Sequence, residues 1–156
     1  FTRRGIMINM NTKAKLENAL KEAMRANNDL HKRTLRMALS AIKLAEVEKG
    51  SELEESALLA ILHKEIKSRH EAIEDAQRAN RPDLVEAAQA EISVLESFLP
   101  EPLTSDELEK MVKQAISEAN ATSLREMGAV MKILIPRLEG RATGEQASQM
   151  VRKLLS

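Results

Sequence analysis

The chain has 156 residues, of which 43% are hydrophobic and 31% charged, and its 24 Lys and Arg residues balance its 24 Asp and Glu residues. This composition excludes a highly charged disordered chain, and the absence of cysteine excludes a disulfide framework, a thiol nucleophile and a cysteine-based zinc site. No uncharged stretch approaches the roughly 20 apolar residues that a spanning helix needs, so we expect no membrane partner. Five Gly and four Pro are too few turn residues for a sheet protein. The composition therefore predicts an all-α fold with an aliphatic core.

The N-terminus begins without an initiator methionine, and either Met7 or Met10 can serve as the native start. We interpret residues 1–9 as an expression remnant or a leader that precedes the fold. The apolar run within it is shorter than the about 7–15 residues of a secretory signal. Arg3 and Arg4 leave the remnant of an Arg-rich transit peptide as the alternative. Without a readable targeting signal, we expect a cytoplasmic protein.

Charge is distributed unevenly along the chain although the total is zero. Residues 1–44 hold 10 Lys and Arg against 3 acidic residues, residues 45–100 hold 6 against 13, and residues 101–156 hold 8 against 8. Any contact with nucleic acid must therefore be local, because the chain as a whole is not a polycation. The alternative is that these charges only solvate helix faces.

Apolar spacing predicts about four helices within residues 10–99, which short turns force to pack antiparallel. The second predicted helix carries a basic stripe opposite its apolar face, within an arc of about 100°. Ser51 and Glu54 fit a capping box that opens the third helix. The four predicted helices are Lys13–Ala26, Leu30–Lys49, a third that reaches about Ala79, and Pro82 to about Leu99.

Pro100 and Pro102 mark the predicted domain boundary, since two prolines cannot continue a helix. We predict a linker at residues 100–103 and a three-helix domain at residues 104–156. Each of its three helices opens with a capping box, in which a Ser or Thr is followed three residues later by Glu or Gln. The three pairs are Thr104 with Glu107, Ser123 with Glu126 and Thr143 with Gln146.

The sequence contains no cluster suited to catalysis, so we expect no catalytic residue, no cofactor and no metal. His63 and His70 lie seven residues apart, about 10 Å along a helix, whereas a chelating pair on a helix needs a spacing of three or four residues. The loop Gly140–Gly144 leads into a helix whose free N–H groups can hold an anion. An ordinary helix–helix turn is the alternative there. Methionine stripes on the last three helices indicate either core packing or a groove for a peptide.

Five short motifs occur in order between about Asn11 and the C-terminus. They are Thr34-Leu35-Arg36-Met37 with Ala41-Ile42-Lys43, Arg81-Pro82-Asp83-Leu84 with Ala90-Glu91-Ile92, Phe98-Leu99-Pro100-Glu101-Pro102-Leu103, Met127-Gly128-Ala129-Val130-Met131-Lys132, and Gly140-Arg141-Ala142-Thr143-Gly144. Together they resemble the YqeY family, whose C-terminal part is similar to the tail domain of the B subunit of tRNA-dependent amidotransferases (the GatB/YqeY group). The order of the motifs makes this resemblance specific.

The resemblance implies an N-terminal antiparallel helical domain and a C-terminal three-helix domain of the GatB/YqeY type. In the amidotransferase the equivalent tail meets tRNA, while ammonia release and amide formation occur elsewhere. The family carries the label of a carbon–nitrogen ligase with glutamine as amido-N donor, but this chain lacks the amidase Ser-Lys apparatus and a nucleotide site. Thr143-Gly144 replaces the family's Asp/Asn-Pro, and Ala147-Ser148 stands where Val-Asn is usual. We therefore interpret the chain as an accessory protein.

Two partner classes remain open, and the sequence does not predict the oligomeric state. The first hypothesis is a tRNA-binding accessory that holds RNA through phosphates. The second is a protein–protein adaptor whose partner helix docks on the methionine face of the last domain. Arg141 is the leading contact, with the alternative that it caps carbonyls and pairs with Glu139 or Glu145. The predicted nucleic-acid or partner contacts are Lys32, Arg33, Arg36, Lys43, Lys132, Arg137 and Arg141.

Overall fold

The computed structural model describes residues 11–156, and all regular structure within them is helical, as predicted. The predicted leader at residues 1–9 lies outside the described residues. One compact unit runs up to Leu99, and a second runs from Pro100 to Ser156. That each unit folds as an independent domain stays a prediction. The helices are α1 (Thr12–Arg25), α2 (Asp29–Lys49), α3 (Glu55–Arg78), α4 (Pro82–Glu96), α5 (Ser105–Ala119), a 3-10 helix (Leu124–Glu126), α6 (Met127–Leu138) and α7 (Gly144–Leu155).

The first unit pairs α1 with α2 and α3 with α4, while α2 also contacts α3 and α4. Its core is aliphatic, as the composition requires. Met24, which the spacing predicts to be buried, is 53% exposed, because it lies about 80° around α1 from Leu16 at the edge of the apolar stripe. The fully buried large side chains of this unit are Leu16, Leu35, Ile42, Leu62 and Leu95.

Helix ends in the first unit follow local sequence except at the start of α3. Asn28 caps α2 by accepting a hydrogen bond from the His31 N–H, and Gly50 ends α2 with a left-handed φ of 81°. The predicted capping box at the start of α3 is wrong, because Glu54 occupies the cap position and makes no side-chain cap bond. Leu53 packs against the core and its N–H donates to Glu46, so tertiary contacts hold this segment.

The second unit packs α5, α6 and α7 against one another around its own aliphatic core. Both Thr104 and Thr143 form complete capping boxes, as predicted. The box predicted at Ser123 is wrong, because a 3-10 helix precedes α6 and Ser123 makes no side-chain cap bond. The Glu126 carboxylate that the box needs instead accepts a hydrogen bond from the Thr122 hydroxyl at 3.2 Å. The buried residues of this core are Leu108, Val112, Ala115, Val130, Leu134, Leu138, Ala142, Ala147 and Val151.

No helix within residues 11–156 combines the length and the apolar character that crossing a bilayer requires.

Candidate functional site

The basic stripe predicted on α2 is partly neutralised by neighbouring side chains. Lys32 forms an ion pair with Asp29 at 3.0 Å and donates to Asn27 Oδ1 at 3.0 Å. Arg33 reaches across to α4, where its guanidinium lies 2.9 Å from Glu91 Oε1. Lys32 therefore pairs within its own helix, and Arg33 links α2 to α4.

Arg36 and Lys43 differ from their two neighbours. Both are exposed on α2, and within residues 11–156 neither has an ion-pair partner. Their spacing of seven residues places them on the same side of the helix, about 10 Å apart along its axis. They are the members of the α2 stripe that remain available to a partner.

A buried charge network lies next to the stripe and was not predicted from the sequence. Arg69 on α3 has a side chain that is only 7% exposed and pairs with Glu65 at 2.9 Å and Glu91 at 3.0 Å. Glu91 also pairs with Arg33, so one carboxylate joins two guanidinium groups from two helices. Arg69 lies seven residues after the buried Leu62, and a cation at a core position was the signal that this network existed.

In the second unit, Arg141 holds the segment before α5 to the loop before α7. Its Nε donates to the Glu101 carbonyl at 2.8 Å, and its guanidinium lies 3.4 Å from Glu107. Its backbone N–H donates to the Leu138 carbonyl, and its own carbonyl accepts from the Leu103 N–H, both at 2.9 Å. The side-chain partners differ from the two carboxylates proposed from the sequence, because the chain near the prolines folds back onto this loop.

Ion pairs in the second unit also shift the titration of their carboxylates. Hydrogen bonding with the Thr104 side chain, followed by its backbone and the Arg141 charge, lowers the pKa of Glu107. Arg137 on α6 makes a two-point contact with Glu118 on α5, and this hydrogen bonding lowers the pKa of Glu118. Arg137 therefore ties α6 to α5.

Lys132 lies on a different side of α6. Its helix buries Val130 and Leu134, whereas Gly128, Ala129 and Lys132 are exposed on the opposite side. Within residues 11–156, Lys132 has no ion-pair partner, and a Cβ added at Gly128 would meet nothing within 4 Å. We call these three residues the α6 face. Its combination of small side chains and one cation leaves the backbone open to close approach.

The methionine face of the last domain serves the core. Met111, Met127, Met131 and Met150 are partly buried and pack against the second unit's apolar cluster. Of the two interpretations open for these residues, packing in the core agrees with the structure. Docking of a partner helix on this face stays a prediction.

The part of the chain that the structure describes contains no set of metal ligands. Among residues 11–156, no three His, Asp or Glu side chains lie close enough together to hold an ion. His63 and His70 lie on α3, where His63 is half-buried and His70 is exposed.

Comparison with known proteins identifies relatives in fungi. Three proteins named "Altered inheritance of mitochondria protein 41, mitochondrial" align with the chain. That of Lachancea thermotolerans is 38% identical over 108 residues, which cover 67% of this chain and 58% of the relative. That of Pyrenophora tritici-repentis is 32% identical over 144 residues, which cover 90% of this chain and 79% of the relative. That of Clavispora lusitaniae is 31% identical over 116 residues, which cover 72% of this chain and 68% of the relative.

The names of these relatives overturn the expected cytoplasmic location, since all three are described as mitochondrial. That expectation was a default drawn from the lack of a readable signal, and the packing of helices does not encode a compartment.

A family model described as Yqey-like protein matches residues 13–155. The match includes both helical units and all five motifs that carried the resemblance in the sequence. The relatives agree with it over most of the same region. The chain belongs to the YqeY-like family.

Proposed function

We propose that this chain is an accessory protein without a catalytic step of its own, and that it binds structured RNA of the tRNA type in an amidotransferase-related process. The observation that carries the proposal is the α6 face. Lys132 supplies an uncompensated cation there, and the small side chains of Gly128 and Ala129 let a sugar–phosphate backbone come close to the helix. The second unit resembles the tail of the amidotransferase B subunit that meets tRNA, and this resemblance also supports RNA binding.

The physical character of such binding follows from the composition. With no Tyr or Trp and two Phe in the chain, bases have little aromatic surface on which to stack. RNA would be held through phosphates and shape, and binding would weaken steeply as salt concentration rises. Arg137, on another side of α6, and Arg141 remain separate proposed RNA contacts, and their guanidinium groups already contact Glu118 and the pair Glu101 and Glu107, respectively.

The test is a titration of the full chain with bulk tRNA at two salt concentrations, comparing wild type with Lys132→Ala. We expect the variant to bind several-fold more weakly and to lose about one unit of the salt slope, because one phosphate contact is removed. Lys113→Ala is the matched control, since Lys113 is an exposed lysine paired with Glu109 at 3.5 Å. Absence of tRNA binding by wild type at low salt would contradict the proposal, as would equal losses in both variants.

A mitochondrial location is the second part of the proposal, and it rests on the names of the fungal relatives. Fractionation of cells that produce the tagged native protein tests it. Recovery in the mitochondrial fraction with protection from added protease is the expected result, and recovery in the cytosol would contradict it.

A protein partner is the second candidate function. Three aliphatic side chains on α2, Met37, Leu44 and Val47, are 50%, 62% and 70% exposed. Exposing these apolar side chains to water is unfavourable, and a partner protein that covers them would remove this exposure. Their exposure is the specific observation that favours an adaptor.

A further inference from the structure

The outward side of α2 has the residue spacing of a coiled-coil seam. Arg33, Met37, Ser40, Leu44 and Val47 follow one another at intervals of four, three, four and three residues, which is the spacing of the a and d positions in a heptad. All five are exposed. We call these five residues the α2 seam, and it runs for about 21 Å along the helix.

The core of the first unit does not include the α2 seam, although Arg33 pairs with Glu91 at 2.9 Å and the Met37 sulfur accepts a hydrogen bond from Arg69 at 3.8 Å. The opposite side of the same helix supplies Leu35, Ala38 and Ile42, which are at most 1% exposed, to the core. The α2 helix therefore already buries one apolar face and presents a second one to solvent. Leu44 and Val47 are among the most exposed large apolar side chains in residues 11–156.

Unpaired cations border the seam on one side. Arg36 and Lys43 each come directly before a seam residue, which makes them g positions in the heptad. In coiled coils the residues at e and g pair across the interface and decide which partner is accepted. Within residues 11–156 neither cation has an ion-pair partner, so both can pair with carboxylates of another protein.

From this combination we propose that the α2 seam binds an acidic amphipathic helix of another protein, with aliphatic residues at its own a and d positions and Glu or Asp at the flanking positions. The apolar residues fill the seam, and the carboxylates face Arg36 and Lys43. Ser40 at one seam position replaces an apolar contact by a polar one, which favours a reversible complex over a permanent one.

The charges argue against a second copy of the chain as the occupant. In an antiparallel pair of α2 helices the g positions would face each other, which brings Arg36 and Lys43 of both copies together. In a parallel pair, Lys43 would face Glu48, but Arg36 would face Ala41. RNA fits less well, because phosphates would leave the apolar side chains of the seam uncovered.

The test uses two synthetic three-heptad peptides with Leu at a and d, one with Glu and the other with Lys at every e and g position. Each peptide repels its own copies, so self-association does not compete. Fluorescence anisotropy of the labelled peptide is followed as the full chain is added. We expect saturable one-to-one binding of the Glu peptide and binding of the Lys peptide that is weaker by about tenfold or more.

Variants of the seam and of its border separate the two sources of recognition. Leu44→Ser with Val47→Ser should weaken binding of the Glu peptide by about tenfold or more, because two apolar contacts are lost. Arg36→Glu with Lys43→Glu should reverse the preference, so that the Lys peptide binds better. Leu84→Ser is the control, since Leu84 on α4 is 48% exposed but lies outside the seam, and it should bind as wild type does.

Several outcomes would overturn the proposal. One is equal binding of both peptides by wild type, and another is loss of binding in the control variant. A third is binding of tRNA, of phosphatidylserine-containing vesicles or of a second copy in sedimentation that the Leu44→Ser, Val47→Ser variant abolishes. The Lys132→Ala variant should bind the Glu peptide normally, so failure of the RNA proposal and failure of this one are distinguishable.

Discussion

At the scale of single residues, the structure separates charges that hold the fold from charges that face solvent. The amino-acid letters do not make this distinction, because Arg33 and Arg36 belong to the same predicted stripe, yet Arg33 pairs with Glu91. Arg69 shows the opposite case, since it lies at a core position and its charge is satisfied by two carboxylates. A cation near several acidic residues in sequence has many potential partners, and only the three-dimensional arrangement selects among them.

Arg69→Ala tests how much the buried charge network contributes to the stability of the fold. We expect the free energy of unfolding to fall by about 2–3 kcal/mol, because Glu65 and Glu91 lose their shared partner in a poorly solvated place. Chemical denaturation with urea measures it. Arg78→Ala, which removes an exposed pair with Asp75 and Glu74, is the control and should change stability by at most about 0.5 kcal/mol. Similar losses in both variants would show that Arg69 adds nothing beyond a surface pair.

Gly128→Ala separates folding from binding at the α6 face. A Cβ at this position meets nothing within 4 Å among the described residues, and alanine is the better helix former, so we expect a gain of up to about 0.5–1 kcal/mol in unfolding free energy. Under the proposed function the same change should weaken tRNA binding, because it fills the space that the backbone of the RNA approaches. A variant that is destabilised would indicate that the glycine serves the fold.

At the scale of helices, local sequence predicts most ends correctly, and the differences come from one tertiary contact at the start of α3 and from local side-chain hydrogen bonds elsewhere. Seven α-helices were predicted, and seven lie within residues 11–156, with ends that mostly agree within one or two residues. The start of α3 differs because Leu53 packs into the core, and α4 ends at Glu96, three residues earlier than predicted, where the Ser97 hydroxyl donates to the Val94 carbonyl. The box at Ser123 fails for a local reason, because Glu126 accepts from the nearby Thr122 hydroxyl, whereas the box at Thr104 forms although Glu107 also pairs with Arg141.

The three capping boxes predicted in the second unit form a matched set for one experiment. Thr104→Ala and Thr143→Ala should each lower the unfolding free energy by about 1 kcal/mol, because each hydroxyl accepts the N–H three residues later. Ser123→Ala should change it by at most about 0.5 kcal/mol, since Ser123 makes no side-chain cap bond. Thermal unfolding followed by circular dichroism compares them, and a large loss in Ser123→Ala would contradict the assignment of the 3-10 helix.

At the scale of the whole molecule, the dependence of stability on pH follows from carboxylates that are hydrogen-bonded in the folded state. Several carboxylates accept hydrogen bonds from cations or from helix caps, and this lowers their pKa in the folded state. The stability they contribute is present above the pKa of the unfolded chain and is lost as pH falls through the lower folded values. The carboxylates with lowered pKa are Glu46 beside Lys13, Asp83 beside Arg81, Glu107 beside Thr104, and Glu118 beside Arg137.

We therefore expect the urea midpoint to be nearly constant from neutral pH to about pH 5 and to fall from about pH 4.5 downward. The double variant Arg137→Ala, Glu118→Gln removes one of the four pairs and should show a shallower fall. Titration of the midpoint against pH in wild type and in this variant measures the difference. A midpoint that rises as the solution is acidified would contradict the sign of the effect.

The helical class, the aliphatic core, the family and most helix ends are predicted from the amino-acid sequence, because they depend on apolar spacing, turn residues and short motifs that act locally. Three-dimensional packing is needed to tell which cations remain free, where the methionines pack, and that the apolar residues of the α2 seam face solvent. The sequence places Met37, Leu44 and Val47 outside the apolar face of α2, on the side of the helix that also carries Arg33. The packing of α1, α3 and α4 buries the face with Leu35, Ala38 and Ile42 and leaves the opposite face exposed, an outcome that depends on contacts between residues far apart in the chain.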